Sequence, residues 1–517
     1  MPYDDPIMRE LGGYLNDRNR IVEEVKGVKM KRREFVAGAL ALPFLGGGRS
    51  LFGQGRTPPR RISPNAKVNV GVIGCGVIAK GTNVPGFLKD PRCRVTVVCD
   101  MVKVAPGYFY GAKPKGAAKS DLFEGDIQYN SKVPRDVCGS TIVKNQVDAH
   151  YGDKACREVF DWRDVVNDPT IDAVCICTPD HWHAIIAIAA MKAGKHVFCQ
   201  KPMSLSIAEG KAMARVAKET GVTFQTGNQG RSNPNYIFAE MLALNGYGGK
   251  ITGGLVSIPG GDHWVGHGRS EERTPLPKWM SPEAWEMWQG PAQHWENNAF
   301  IPSIHEPTCW RFNKRYGNGM VTDFGAHEFD EIQRGLGTDL SGPVRVENVK
   351  SDLLPDDQRT VFSWAKTFSF DFVYANGVRI NVVQIDKEHG IPRQTVWHTE
   401  KGDIGVKAGK VVVPDELKNF TWKDFKKTDT FIYRPQDDHW HEADFLDGIL
   451  QERQCCAPCE VGHRTISMAH MANACIQLRL DGIGWDPVKE VFTGPHAAEA
   501  MAKCYASEYH NGWKLDA

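Results

Sequence analysis

The sequence predicts an α/β protein in two parts: an N-terminal doubly wound parallel sheet, then an α+β domain on a large, mostly antiparallel, open sheet. Three observations carry this reading. Val68, Val70, Val72 and Ile73 form a β-branched run that enters a glycine turn, Gly74-x-Gly76-x-x-Ala79. Arg94–Cys99, Ile171–Cys177 and His196–Cys199 are further apolar runs, and Ala184–Lys192, stopped by Gly194, reads as a helix between the last two. A run with no polar face suits a parallel strand covered on both sides. Beyond residue 367 the period falls to two. Phe368, Phe370, Phe372 and Tyr374 alternate with polar neighbours, Asn376-Gly377 supplies a hairpin turn, and Val378, Ile380 and Val382 alternate back. Thr395–Thr399, Asp403–Lys407 and Lys410–Val413 continue that sheet.

Each part of the first element has a physical task. Gly74 permits the tight turn, Gly76 lets backbone approach a diphosphate, and Ala79 keeps the helix close to the sheet. Around Val77 and Ile78 the helix N-terminus offers unpaired N–H groups to an anion. Asp100 follows the second strand about twenty residues past the glycines, where a carboxylate accepts hydrogen bonds from a ribose 2′-OH. It would repel a 2′-phosphate. The pattern is that of a Rossmann dinucleotide site, with NAD favoured over NADP.

The bulk composition narrows the partners. With 517 residues, 41% hydrophobic, 24% charged and a formal net charge of +1, the chain has room for two domains and a large core. Near-neutral charge argues against nucleic acid or an anionic membrane as partner. No apolar run reaches the roughly eighteen residues of a membrane span. Met30-Lys31-Arg32-Arg33-Glu34-Phe35, then Val36–Leu45 and Gly46-Gly47-Gly48, resembles a twin-arginine export signal. It predicts handling by the Tat machinery and a periplasmic or exported protein. A chance Arg-Arg pair before a buried helix would instead leave the protein cytoplasmic. The expected division is residues 1–65 signal and linker, 66–202 nucleotide domain with an insertion at about 101–150, and 203–517 substrate and oligomerisation domain. Of the fourteen cysteines, Cys75 lies in the glycine turn, and Cys99, Cys175, Cys177 and Cys199 lie in apparent core strands. Cys455-Cys456-x-x-Cys459 lacks a second cysteine pair, and His263, His267, His439 and His441 are scattered. No metal site is expected.

Ligands of open α/β sheets bind beyond the carboxyl ends of strands. Gly74, Asp100, Thr178-Pro179-Asp180-His181-Trp182-His183 and Gln200-Lys201-Pro202 all fall at such ends. Lys201 follows a core strand, where a surface lysine has little reason to be. In Gly317–Asp330, a helix starting near Thr322 would put Asp323 and His327 on one face, at i and i+4. Beside a cofactor and a lysine, they make an acid/base set. Between 259 and 318 lie Trp264, Trp279, Trp285, Trp288, Trp295 and Trp310. These rings either face sugar or pack a long loop, and Trp310 stands out because Arg311 adjoins it. His439-Trp440-His441 precedes an apparent helix and either touches substrate or packs the helix start.

On these residues the chain resembles the Gfo/Idh/MocA family of glucose–fructose oxidoreductases, inositol dehydrogenases and relatives. The likeness runs over roughly residues 67–510. It rests on the nucleotide turn, Thr178-Pro179-x-x-x-His183, Gln200-Lys201-Pro202, Trp285-x-x-Trp288-x-Gly290-Pro291, Trp310-Arg311 and Gly319-x-x-x-Asp323-x-x-x-His327. The resemblance implies NAD held by Gly74, Gly76, Val77, Ile78, Asp100, Thr178, Pro179, Trp182, His183, Gln200 and Lys201. It implies a catalytic set of Lys201, Asp323 and His327, and substrate contacts from Trp310, Arg311 and His441. Position 200 is usually Glu in the family and is Gln here. The implied chemistry is hydride transfer between nicotinamide and a secondary hydroxyl or ketone of a sugar, glycoside or polyol. His327 would accept the proton, Lys201 would stabilise alkoxide, and Asp323 would orient the imidazole. An exported enzyme of this kind would retain its cofactor tightly, and an antiparallel sheet with one exposed face implies a homo-oligomer, dimer or tetramer. Two alternatives stand beside it: a glycosidase that oxidises transiently through NAD, and a non-catalytic NAD-binding regulator.

Overall fold

The computed structural model describes residues 57, 59–60, 62–63, 66–106, 137–261, 272–305, 309–355, 361–386, 388–432 and 441–517. The Arg32-Arg33 segment, Trp264, His263, His267 and His439 lie outside them.

Six parallel strands form the first sheet: β1 (Val68–Ile73), β2 (Cys93–Cys99), β3 (Arg157–Val159), β4 (Ala173–Ile176), β5 (His196–Gln200) and β6 (Phe224–Gly227). Their order is β3-β2-β1-β4-β5-β6, that of a doubly wound dinucleotide fold. The apolar runs are explained by burial on both faces. Val70, Val72, Val95 and Cys175 pack into one core, with Phe87 and Phe198. Ile73, Val97, Val174 and Ile176 pack into the other, with Ile185 and Val197.

Two expected boundaries move. β6 pairs in parallel with β5, Val197 opposite Phe224, so the nucleotide sheet extends to Gly227 and not to 202. Helix His441–Leu450 also returns to this half, where Phe445 meets Phe198 at 5.7 Å and Phe87 at 6.4 Å. Within the expected insertion, Ser140–Tyr151 is a helix whose Val143 and Val147 are fully buried. Residues 107–136 lie outside the described set.

The second sheet has nine strands: β7 (Ile251–Ile258), β8 (Arg345–Ser351), β9 (Phe368–Val373), β10 (Arg379–Gln384), β11 (Gln394–Thr399), β12 (Gly402–Lys407), β13 (Lys410–Val412), β14 (Ile483–Asp486) and β15 (Val491–Thr493). Its order is β13-β12-β11-β7-β10-β9-β8-β14-β15. Every pairing is antiparallel except β7 with β10. The predicted hairpin is β9–β10, with Phe372 opposite Ile380 and Gly377 at φ 85°. Val256, Phe370, Phe372, Ile380, Val382 and Trp397 face helices Pro234–Leu244, Gly325–Leu336 and Cys459–Leu478 in one core. The third of these helices also packs on Ile207–Thr220 of the nucleotide half.

Among the described residues no helix is long and apolar enough to cross a membrane. The cysteines are free, and the 455–459 cluster diverges: Cys455 packs against the nucleotide core, Cys459 faces Met203, and Cys456 faces His441. No group of three His, Cys, Asp or Glu among the described residues can hold a metal ion.

Candidate active site

A cleft with about 1220 Å³ of empty space, partly open to solvent, runs along the carboxyl edge of the parallel sheet. At one end lie Gly74, Gly76, Val77, Ile78 and Asp100, and at the other Lys201, Trp310 and Arg311. Thr178, Pro179, Trp182 and Gln200 line it between.

The glycine end fits a dinucleotide on local grounds. Gly74 has φ 88°, and a Cβ there would meet the Cys177 carbonyl at 2.7–2.8 Å, so only glycine closes this turn. The next helix begins at Val77 and passes through a π-helical turn, Ala79–Asn83, before continuing to Lys89. Asp100 accepts the Cys75 N–H at 2.7 Å and the Val102 N–H at 2.9 Å. Burial raises its carboxyl to about 6 despite those two bonds. A carboxylate has about four acceptor positions, so two remain for a ribose. The buried Thr178 hydroxyl has no partner among the described residues, an unmet polar atom at the cleft wall.

At the other end, β5 delivers Lys201. Its Nζ donates to the Asp323 carbonyl and to Asp323 Oδ1, both at 2.9 Å. Arg311 Nε donates to the same Oδ1 at 2.8 Å, and its guanidinium lies 4.3 Å from the Trp310 ring centre. Burial alone would raise the Asp323 carboxyl, but Arg311 and Lys201 outweigh it and hold it well below the usual carboxylate range. Burial lowers the Lys201 ammonium, with Asp323 opposing. Two cations thus share one carboxylate. Burial raises the neighbouring Asp180 carboxyl well above its ordinary value, with Arg311 and Lys201 opposing.

His327 belongs to the first turn of the next helix. Asp323 ends Gly319–Asp323, the chain turns at Phe324, and Gly325–Leu336 begins a second helix. His327 Nδ1 lies 2.8 Å from Asn228 Oδ1. Burial, then the Lys201 and Arg393 charges, push the imidazole well below its usual range. It is neutral at physiological pH.

The sequence has counterparts among known proteins. The oxidoreductase-family model for an NAD-binding Rossmann fold matches residues 140–228, and that family's C-terminal alpha/beta domain matches residues 260–511. Together they span well over half of the sequence. The chain belongs to the Gfo/Idh/MocA family.

Levoglucosan dehydrogenase of Pseudarthrobacter phenanthrenivorans is 40% identical over 171 residues, 33% of this chain and 34% of that protein. The NAD(+) scyllo-inositol 2-dehydrogenase of Bacillus subtilis is 42% identical over 87 residues, 17% of this chain and 25% of that protein. The chain therefore spans about a third or less of the length of these curated relatives. Among solved structures, levoglucosan dehydrogenase in complex with NADH and levoglucosan superimposes with a TM-score of 0.52 at 18% identity, over 81% of this chain and 99% of that one. That likeness is one of fold.

Within this Gfo/Idh/MocA site, the expected residues divide. Lys201, Asp323, Trp310 and Arg311 converge, and the expected nucleotide residues other than His183 line one cleft, whose lining residues do not include His327. Three expectations are corrected. Asp323 does not orient His327; its Oδ1 holds Lys201 and Arg311, and the imidazole's Nδ1 instead meets Asn228. His183 is fully buried, its Nε2 lying 2.9 Å from the Thr178 carbonyl and its Nδ1 2.8 Å from the Pro202 carbonyl; burial lowers the imidazole to about 4, so the neutral ring donates to one of the two. It packs between the strand ends that carry Thr178 and Lys201 and does not line the cleft. His441 is also fully buried, with Nδ1 at 2.8 Å from Ser232 Oγ and Nε2 at 2.7 Å from the Thr226 carbonyl. It anchors the start of its helix and is not a substrate contact. Trp182 lines the cleft from within an aromatic cluster, 4.8 Å from Trp513 and 6.2 Å from Trp162. Trp285 and Trp288 stack at 5.2 Å in the core, as the loop-packing alternative requires.

Gln200 reaches a further pair that sequence reading missed. Its Nε2 donates to Asn83 Oδ1 at 2.8 Å, and Asn83 Nδ2 donates to Glu442 Oε1 at 2.7 Å. Burial raises the Glu442 carboxyl to about 7. A carboxyl raised above its unfolded value of 4.5 favours the folded state below that pH, and this contribution is lost as pH rises through about 7. Glu442→Gln is therefore expected to stabilise the protein by a few kcal/mol, in order of magnitude, above pH 7. The gain should shrink as pH falls toward 5. Thermal denaturation at pH 5, 6, 7 and 8 checks this; an equal Tm difference at every pH would refute it.

Proposed function

We propose that this protein is an NAD-dependent oxidoreductase acting on a secondary hydroxyl, or the corresponding ketone, of a sugar, glycoside or polyol. The observation that carries this reading is the shared Oδ1 of Asp323, on which Lys201 and Arg311 meet at the far end of the dinucleotide cleft. Gly74, Gly76 and the helix start at Val77 would hold the diphosphate, and Asp100 the ribose. A bound nicotinamide supplies the hydride acceptor or donor. The protein's own residues manage the proton and the charge. Lys201 donates a hydrogen bond to the substrate oxygen and stabilises negative charge developing on it. Asp323, held in turn by Arg311, keeps the ammonium aimed, because among the described residues it supplies both hydrogen-bond acceptors of Lys201 Nζ. Neutral His327 takes the hydroxyl proton during oxidation and returns it during reduction. Trp310, stacked on Arg311, offers an apolar face to a pyranose ring.

The relatives' names support this substrate class, since levoglucosan and scyllo-inositol are carbohydrate and polyol alcohols. We further propose export through the twin-arginine route into the periplasm. Free NAD is not replenished there, so the cofactor would stay bound through alternating oxidation and reduction. A homo-oligomeric state, dimer or tetramer, goes with this proposal.

The test is a panel of monosaccharides, disaccharides, inositols and aryl glycosides, incubated with the protein and NAD and read by mass spectrometry. The expected result is loss of two hydrogens from one class of alcohol with matching absorbance at 340 nm. Release of free sugar from an aryl glycoside without net NADH would overturn the proposal in favour of redox-assisted glycoside cleavage. A flat response throughout would favour a regulator.

A further inference from the structure

We infer that Asn228 fixes His327 in the tautomer that carries hydrogen on Nδ1 and leaves Nε2 as the proton acceptor, and that Asp330 in turn fixes Asn228. The catalytic meaning rests on the reading of His327 as base; the tautomer itself does not depend on turnover.

Asn228 follows β6 directly and is buried. Its Nδ2 donates to the Ala326 carbonyl at 2.8 Å and to Asp330 Oδ2. A side-chain amide nitrogen has two hydrogens, and both are used. Asp330 is itself held as an acceptor. Arg231 donates to its Oδ2 from Nε at 2.5 Å and to its Oδ1 from the guanidinium at 2.8 Å, and the Thr465 hydroxyl donates to Oδ1 at 2.7 Å. Arg231 is buried and also pinned to both carboxylate oxygens of Asp339. A flipped Asn228 would turn its carbonyl oxygen onto a carbonyl and a carboxylate, leaving buried acceptors without donors, a costly arrangement. The amide therefore presents Oδ1 to His327. A carbonyl oxygen only accepts, so the hydrogen in the 2.8 Å contact resides on Nδ1.

A neutral imidazole carries one N–H, which leaves the lone pair on Nε2. Among the described residues no protein atom hydrogen-bonds Nε2. The charged or titratable groups acting on the ring are Lys201, Arg393, Asp323 and His441. None of them replaces Asn228 at Nδ1. The site thus divides its acceptors: the carboxylate of Asp323 serves the amine, and an uncharged amide serves the imidazole. The amide sets the tautomer without adding the negative charge that would hold the ring protonated.

Full-length protein labelled with ¹⁵N-histidine, with and without NAD, tests this by two-bond proton–nitrogen correlation at pH 7.5. His327 is assigned by the signal set missing in His327→Gln. The expected pattern is a pyridine-type Nε2 and a pyrrole-type Nδ1, with Asn228→Ala losing that fixed preference. A pyridine-type Nδ1, or an averaged mixture in the unmutated protein, overturns the inference, and this wild-type measurement stands whether or not the variant folds. If the predicted tautomer appears in a protein that oxidises no alcohol, the oxidoreductase proposal falls and the inference survives.

Discussion

Lys201→Ala is expected to lower kcat by roughly 10²–10³-fold, the size of effect seen when one donor to a developing oxyanion is removed, while NAD still binds. The physical basis is the separation of tasks along the cleft. The diphosphate and ribose ends are built from Gly74, Gly76, the Val77 helix start and Asp100, none of which bonds to Lys201 in the structure. Among the described residues, the amine's hydrogen bonds are to Asp323. Its loss leaves Asp323 paired with Arg311, so the buried carboxylate keeps one cation and the fold is not left with an isolated charge. Fluorescence titration with NADH should give a Kd within a few-fold of wild type, and steady-state turnover should collapse. Equal turnover in variant and wild type would remove Lys201 from the chemistry.

The second large effect is on the proton. His327→Ala should lower kcat by about 10²–10⁴-fold, the range of general acid–base catalysis. Because burial and the Lys201 and Arg393 charges hold the imidazole well below its usual range, the wild-type acid limb should lie below the ordinary histidine value of about 6.5. With NAD saturating, so that titration of Asp100 near 6 does not enter, wild-type kcat/KM for the alcohol should stay nearly flat from pH 7 down to 6. A half-maximal point near 7, or a His327→Ala variant with an unchanged profile, would contradict the assignment.

Much of this site was legible in the sequence because its nucleotide half is local. The glycine turn, the β-branched runs and Asp100 lie within one βαβ unit, where strand period and turn chemistry dictate geometry. Phe368 to Val382 was legible for the same reason, since a two-residue period and Asn376-Gly377 leave one hairpin register. What escaped reading is long-range. Asn228 and Asp330 are about a hundred positions from their partners, and Glu442 is 359 from Asn83. Placing Phe224–Gly227 in the parallel sheet would have flagged Asn228, because it then stands at a strand's carboxyl end with Lys201 and Thr178. The i, i+4 spacing of Asp323 and His327 misled because the helix breaks at Phe324, and the imidazole's Nδ1 lies against Asn228 while Lys201 and Arg311 gather on Asp323 Oδ1. His183 and His441 drew attention as polar residues near the site, yet each is a buried ring packed against backbone carbonyls or a hydroxyl.

The central claim is that Lys201 and His327 face the reactive ring of a dinucleotide seated on the Gly74 turn. A crystal structure of the full chain with NAD and an oxidisable alcohol tests it most directly. The account predicts diphosphate at Gly74–Ile78 and the substrate oxygen within hydrogen-bond reach of both Lys201 Nζ and His327 Nε2. A nicotinamide ring lying away from Lys201, or a substrate oxygen touching neither group, would contradict it.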